Sequence, residues 1–239
     1  LINDGSGRFE DRSEVLMEED RLGYTQVVGI LDFDGDGPQD IYIINHRPEY
    51  VGNRLLFNDG SMNLSTEVAA GANLEMQGMG LGIGDLNDDR LPDLFIADSF
   101  GLKLLLSSGP RQWVEGAVAR GLTIDSDRGQ QASWSTHLED MDNDGLLDAA
   151  AAFGPVTQAL DVGLDLVQPD ELWIQQDDGQ FEAVGDEWGL AHTGYGRALA
   201  LVDLNQDGHL DWLLNSRHVP AVALLSRCSD SSWLRIELR

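Results

Sequence analysis

Short apolar runs, each a few residues long and bounded by Asp, Asn or Gly, follow one another along the whole chain. Ile41, Tyr42, Ile43 and Ile44 form one run and Leu94, Phe95, Ile96 and Ala97 another. Their length and their β-branched and aromatic content predict buried strands. The segments ahead of these runs alternate. Val28 and Ile30, Leu81 and Ile83, Thr136 and Leu138, and Leu199 and Leu201 fall on one face. Val27 and Gly29, Gly80 and Gly82, Ser135 and His137, and Ala198 and Ala200 fall on the other. Period two means strand, and a face of mostly small residues means that a neighbour presses close to it. The stretches 53–60, 102–109 and 171–179 end in Gly-bearing turns and lead into further strands around Leu64, Trp113 and Phe181, which predicts hairpins. Each unit therefore contains four strands.

Between the first two strands of every unit lies one nine-residue segment, found at 32–40, 85–93, 140–148 and 203–211. A segment recurring at this period marks a repeat architecture. Its odd positions carry oxygen ligands in register. Asp32, Asp34, Asp36 and Asp40 stand in the first copy, Asp85, Asn87, Asp89 and Asp93 in the second. The third has Asp140, Asp142, Asp144 and Asp148, and the fourth Asp203, Asn205, Asp207 and Asp211. At position seven a backbone carbonyl would join them, from Pro38, Leu91, Leu146 and His209. Such a turn suits a hard cation, since Ca²⁺ takes 6–8 oxygens. Four clusters of acids with no cation would repel one another with nothing to offset them. An EF-hand loop would end in Glu at position twelve, but Ile43, Ile96, Ala151 and Leu214 stand there. The acid comes at position nine and a strand follows it. Arg90 replaces the turn glycine in loop two, and Asn87 and Asn205 lower the charge of loops two and four, so loops one and three are expected to bind most tightly.

Four-stranded antiparallel units repeated at this spacing describe an all-β fold, a β-propeller. The sequence resembles the FG-GAP repeats, also called VCBS-type repeats, of integrin α-like propellers, whose blades carry Asp-x-Asp-x-Asp-Gly-x-x-Asp calcium loops. Ser231, Ser232, Trp233, Leu234, Arg235, Ile236, Glu237 and Leu238 resemble the opening of the ASPIC/UnbV segment that follows such repeats in cartilage acidic protein and its bacterial relatives. The resemblance implies a propeller over 1–226, the start of an ASPIC/UnbV-like segment over 227–239, and up to four structural Ca²⁺ ions. Residues 1–9 match a third strand, turn and fourth strand, so the expectation is four blades and a half blade, part of a ring of about seven.

Composition narrows the partners. With 42 Asp and Glu against 15 Lys and Arg the net charge is −27, a field that repels nucleic acid. No apolar run is long enough for a spanning helix, so no membrane insertion is expected in this segment. The one cysteine, Cys228, forms no disulfide within the chain. Gly78 to Gly84 is glycine-rich like a phosphate loop, but a metal loop follows it where a phosphate site needs a helix. Esterase, zinc-protease and redox signatures are missing, and no catalytic residue is assigned.

If the acidic loops lie on one face, the opposite face gathers the loops that lead into each first strand and leave each second one. Loops on rigid scaffolds carry function disproportionately, and that face would present Arg47, Trp134, Tyr195, Arg197 and Arg217. The expected function is calcium-stabilised adhesion or recognition of a protein or carbohydrate ligand, outside the cell, where Ca²⁺ is abundant. The alternative is a carbohydrate-active or other hydrolytic enzyme acting from the same face. His137, on the small-residue face, is expected to be a satisfied core or channel histidine.

Overall fold

The computed structural model describes residues 2–66, 71–124, 131–156, 168–190, 192, 194–227 and 233. A hairpin of β1 (Ile2–Asn3) and β2 (Phe9–Glu10) comes first. The first full sheet holds β3 (Thr25–Leu31), β4 (Asp40–Asn45), β5 (Arg54–Asn58) and β6 (Leu64–Thr66). The second holds β7 (Gly78–Gly84), β8 (Asp93–Asp98), β9 (Gly101–Gly109) and β10 (Gln112–Glu115). In the third are β11 (Ser133–Glu139), β12 (Asp148–Phe153), β13 (Glu171–Gln175) and β14 (Phe181–Ala183), and in the fourth β15 (Tyr195–Val202), β16 (Asp211–Arg217) and β17 (Val222–Leu224). Within each sheet, sequence neighbours pair antiparallel. These are propeller blades, as the strand periodicity predicts. The glycine-rich stretch 78–84 is β7. Single turns of 3-10 helix at Ser13–Val15, Glu19–Leu22 and Val118–Arg120 were not legible in the periodicity.

The core is divided among the seams between blades. Phe33, Tyr42, Ile44, Leu55 and Phe57 of the first blade pack on Leu94, Ile96, Leu105 and Trp113 of the second. A second cluster joins Phe95 and Leu104 to Phe153, Trp173 and Phe181, and a third joins Leu172 and Ile174 to Leu199, Trp212 and Leu214. The small-residue face works at the axis as expected. A Cβ at Gly80 would lie 2.8 Å from the Trp134 carbonyl, and one at Gly82 would lie 3.1 Å from the His137 backbone, so only glycine lets β7 approach β11 this closely. His137 closes the next seam by hydrogen bonding through Nε2 with the Leu199 carbonyl at 2.7 Å, the structural role expected of it.

β12 shows what the seams impose. Ala149 to Ala152 would favour a helix on propensity alone, yet they form a fully buried strand. Ala149 and Ala151 pack in the second seam, Ala150 and Ala152 in the third. With bulky residues on both sides, methyl groups are what fit.

Among the described residues, apolar side chains are exposed at both ends of the blade series. Val28 and Ile30 on β3 are 49% and 59% exposed, whereas Leu138 and Leu199, at the matching register of later blades, are buried. At the other end of the series Leu204 is 47% exposed, although Phe33, Leu86 and Met141 at the same loop position are buried in the seams. Beside β17 lies a cavity of about 800 Å³ lined by Leu172, Leu190, Trp212 and Leu224, among others. The ASPIC/UnbV-like stretch from Ser231 to Leu238 falls almost entirely outside the described residues.

Candidate metal loops and ligand face

Each acidic loop joins the first strand of its blade to the second, and all four have one internal design. The position-one aspartate accepts amides from positions five and six: Asp32 from Asp36 and Gly37, Asp85 from Asp89 and Arg90, Asp140 from Asp144 and Gly145, Asp203 from Asp207 and Gly208, at 2.8 to 3.1 Å. Position six is left-handed in every copy, with φ 105, 68, 96 and 88 at Gly37, Arg90, Gly145 and Gly208. Arg90 thus holds a conformation that disfavours a side chain. Position four is left-handed as well, at Gly35, Asp88, Asn143 and Gln206. That second requirement is hard to see in the sequence, because Asn, Asp and Gln meet it as well as Gly does here.

Position nine does more than the spacing implies. Asp40, Asp93, Asp148 and Asp211 are completely buried. One carboxylate oxygen of each accepts the position-two amide, from Phe33, Leu86, Met141 and Leu204 at 2.8 to 2.9 Å. The other accepts an amide at or beyond the third strand, from Asn58, Ser107, Gln175 and Ser226 at 2.6 to 2.9 Å. Each aspartate therefore pins its loop to the hairpin behind it. Burial pushes the Asp93 and Asp148 carboxyls up, to about 6 and about 7, against the pull of these amides. A nearby cation would favour the charged form.

Ligand oxygens of Asp32, Asp34 and Asp40 lie within 4.8 Å of one another, as do those of Asp140, Asp142 and Asp148. An all-oxygen donor set on a turn of this kind fits a hard cation such as Ca²⁺. Position five, Asp36 and Asp144, is in neither group. Asp144 and its counterparts Asp89 and Asp207 instead accept the position-seven amide of Leu146, Leu91 and His209, at 2.7, 2.8 and 3.0 Å. Loops three and four also touch, through Asn143 Nδ2 on the Gly208 carbonyl and His209 Nδ1, both at 3.0 Å.

At the opposite end of the strands a feature recurs that periodicity does not reveal. The pairing of the first strand with the second shifts register once per blade, between 25 and 27, 78 and 80, 133 and 135, and 196 and 198. Gln26, Met79, Trp134 and Arg197 are the bulged residues. A bulge re-aims its side chain. Met79 and Trp134 line a cavity of about 350 Å³ together with His46, Arg47, Gln77, Ser99 and Phe100. The Arg197 guanidinium sits 3.9 Å from the Trp134 ring centre and donates to the Gly196 and Pro155 carbonyls at 2.7 Å. Trp134 Nε1 donates to the Gly154 carbonyl at 2.6 Å. The indole is thereby held both at its ring face and at its N–H. Burial, with the Arg217 charge nearby, lowers Arg197 to about 10.

Of the five residues expected on this face, Arg47 and Trp134 line the cavity and Arg197 backs it. Tyr195 packs edge-on against His218, 6.2 Å between ring centres, and neither Tyr195 nor Arg217 is among the lining residues. Arg47 lies 5.5 Å from the Tyr24 ring centre and 3.3 Å from Glu49. Gln77 and Phe100 lie in loops expected on this face but were not singled out, and Met79 was missed, because its place depends on the bulge of its strand.

Asp170 stands behind this face, fully buried. Its Oδ1 accepts the Phe153 amide at 2.8 Å, the task that Asn53 performs in the first blade for the Asn45 amide. Its Oδ2 faces His192 Nδ1 at 3.8 Å, and burial pushes the carboxyl up to about 7. A carboxyl raised on folding contributes stability that is full below its unfolded value and is lost as pH rises through the folded one. The stability of Asp170→Asn relative to the parent should therefore grow by about 1–3 kcal/mol between pH 5 and pH 8. Urea unfolding of both proteins in saturating Ca²⁺ checks this. Parallel pH profiles would contradict it.

Fold and loops together define a β-propeller built from repeated blades with acidic turns. Residues 32–96 and 140–214, more than half of the chain, match the FG-GAP-like repeat family, and the chain belongs to that family. No curated protein matches it. Among solved structures it is similar to an Agrocybe aegerita lectin described as recognising non-reducing terminal N-acetylglucosamine, at 17% identity and TM-score 0.50, over 81% of this chain and 48% of that one. It is also similar to BBS1N, solved in complex with ARL6DN, at 11% identity and TM-score 0.52, over 85% of this chain and 55% of that one. The chain thus spans about half the length of each, and these likenesses speak to fold alone. Among the described residues no helix is long and apolar enough to cross a membrane.

Proposed function

We propose that this chain is a recognition propeller. Ca²⁺ in its acidic loops staples the first two strands of each blade, and a ligand binds at the opposite, bulge-lined face. The observation that carries the reading is the division of labour between the two ends of the strands. One end holds four copies of a single oxygen-rich turn. The other differs from blade to blade and encloses a cavity beside an indole locked in place by Arg197 and Gly154.

The metal ligands are Asp32, Asp34 and Asp40 in loop one, with the matching positions in the other loops, and the ion acts structurally. Loops of this openness are filled where Ca²⁺ is millimolar, so the chain works outside the cell. The ligand is a sugar or a sugar-bearing protein. A fixed aromatic face with polar groups converging around it suits a ring that has one apolar face. That one solved neighbour is a lectin accords with this reading, although fold by itself does not carry ligand identity. Glu49 is the one carboxylate among the described lining residues and it is paired with Arg47, so sugar binding is favoured over glycoside hydrolysis, which canonically uses two carboxylates.

A glycan array followed by calorimetry on the best binder tests the proposal. Trp134→Ala should weaken binding by about tenfold or more, since losing a central aromatic contact costs ~2 kcal/mol, with the melting curve shifted little. Equal affinity in the variant, or no binder on the array, would remove the sugar reading.

A further inference from the structure

Loop one departs from the other three at position seven. In loops two, three and four the position-five carboxylate is capped by the position-seven amide. Position seven of loop one is Pro38, which has no N–H to donate. The charge is met from elsewhere. Arg111, in the turn between β9 and β10 of the second blade, reaches across the seam. Its Nε donates to Asp34 Oδ2 at 2.5 Å, and its Nη2 lies 3.5 Å from Asp36 Oδ2. The guanidinium also lies 4.6 Å from the centre of the Phe57 ring. The residue holds this place with φ 61, in the left-handed region. Carboxylates at positions three and five of loop one are thus bridged by a planar, permanently charged group, whereas loop three answers the same four aspartates with its own backbone.

We propose that Arg111 is a tethered counter-cation of loop one: it competes with Ca²⁺ for the Asp34 carboxylate, offsets the charge of Asp36 beside it, and makes loop one the weaker of the two four-aspartate sites. The inference rests on the calcium reading above. It ranks the two loops that residue types alone group as the tightest binders. It also gives the seam between the first two blades a latch in the metal-free protein, because the guanidinium of the second blade then holds Asp34 and covers the Phe57 ring of the first.

Loop-resolved Ca²⁺ titration by amide NMR tests it, with Gly35 and Gly37 reporting loop one and Gly145 loop three. In the parent, Gly145 should respond at lower Ca²⁺ than Gly35 and Gly37. Arg111→Gln should lower the loop-one midpoint about tenfold, the size expected for removing one charge near a divalent ion in a partly solvated site, and leave Gly145 within about twofold. Arg111→Met keeps an apolar stem against Phe57 and should act alike, which guards against a general loss of packing in the glutamine variant. A loop-one midpoint that stays put or rises in both variants overturns the inference while the calcium reading stands. If no loop amide moves at any Ca²⁺ concentration, the calcium reading fails and the inference fails with it.

Discussion

Excess EDTA should lower the melting temperature of this chain by about 10–20 °C, and added Ca²⁺ should restore it. At a hundredfold excess over its dissociation constant, an ion that binds the folded state alone adds ~2.7 kcal/mol per site. For a chain of this size each kcal/mol moves the midpoint by ~2–4 °C, so two occupied loops suffice. The physical source is the charge in each turn. Asp140, Asp142 and Asp148 bring ligand oxygens within 4.8 Å of one another, and Asp148 is buried besides. Without a cation this crowding opposes folding, and with one it is turned to attraction. Mg²⁺ should restore less, because it demands smaller octahedral geometry and gives up its water reluctantly. Differential scanning calorimetry in EDTA, Ca²⁺ and Mg²⁺ makes the comparison. A melting curve unchanged by EDTA would sink the calcium reading.

Trp173→Ala should cost about 3–5 kcal/mol, the range for emptying a buried aromatic site, with a fall in melting temperature of about 10 °C. Trp173 is 1% exposed and holds the second seam. Its ring meets Phe95 of the second blade at 6.2 Å and 89°, and Phe153 of its own blade at 6.4 Å and 67°. Opposite it in the sheet stands Ala149, whose methyl group cannot expand into the space left behind. Trp173→Phe should cost less than about 1.5 kcal/mol, since it keeps an aromatic ring and removes a buried indole N–H that has no acceptor among the described residues. Urea unfolding with an unchanged slope reads both values. An alanine variant as stable as the parent would show that the seam repacks freely, contrary to the close fit described.

Calcium removal and the tryptophan change act on different parts of the same blades, the turn and the seam. Residues that make the turn are consecutive in sequence, so the turn could be read directly. Aspartates at positions one, three and nine were found by spacing, and the structure brings those of loops one and three together. What spacing could not show is that position nine is wholly buried and holds an amide from the far hairpin, such as Gln175 on Asp148, because that contact closes over 27 residues. Trp134 was singled out as an exposed-face aromatic, but its partners Met79 and Arg197 belong to other blades and reach it through bulges at the same register.

By itself the sequence determined the all-β class, the four-strand unit, the four acidic turns and the tight packing at the axis. All of these rest on local chemistry repeated in register: period-two alternation, oxygen ligands on alternate residues of a turn, and glycine where a strand must come close. The tertiary structure alone decided which loops share a cavity, which arginine stands over loop one, and that Ala149 to Ala152 form a strand. Those outcomes depend on contacts between blades, where the space left by one chain segment selects the conformation and the charge partners of another.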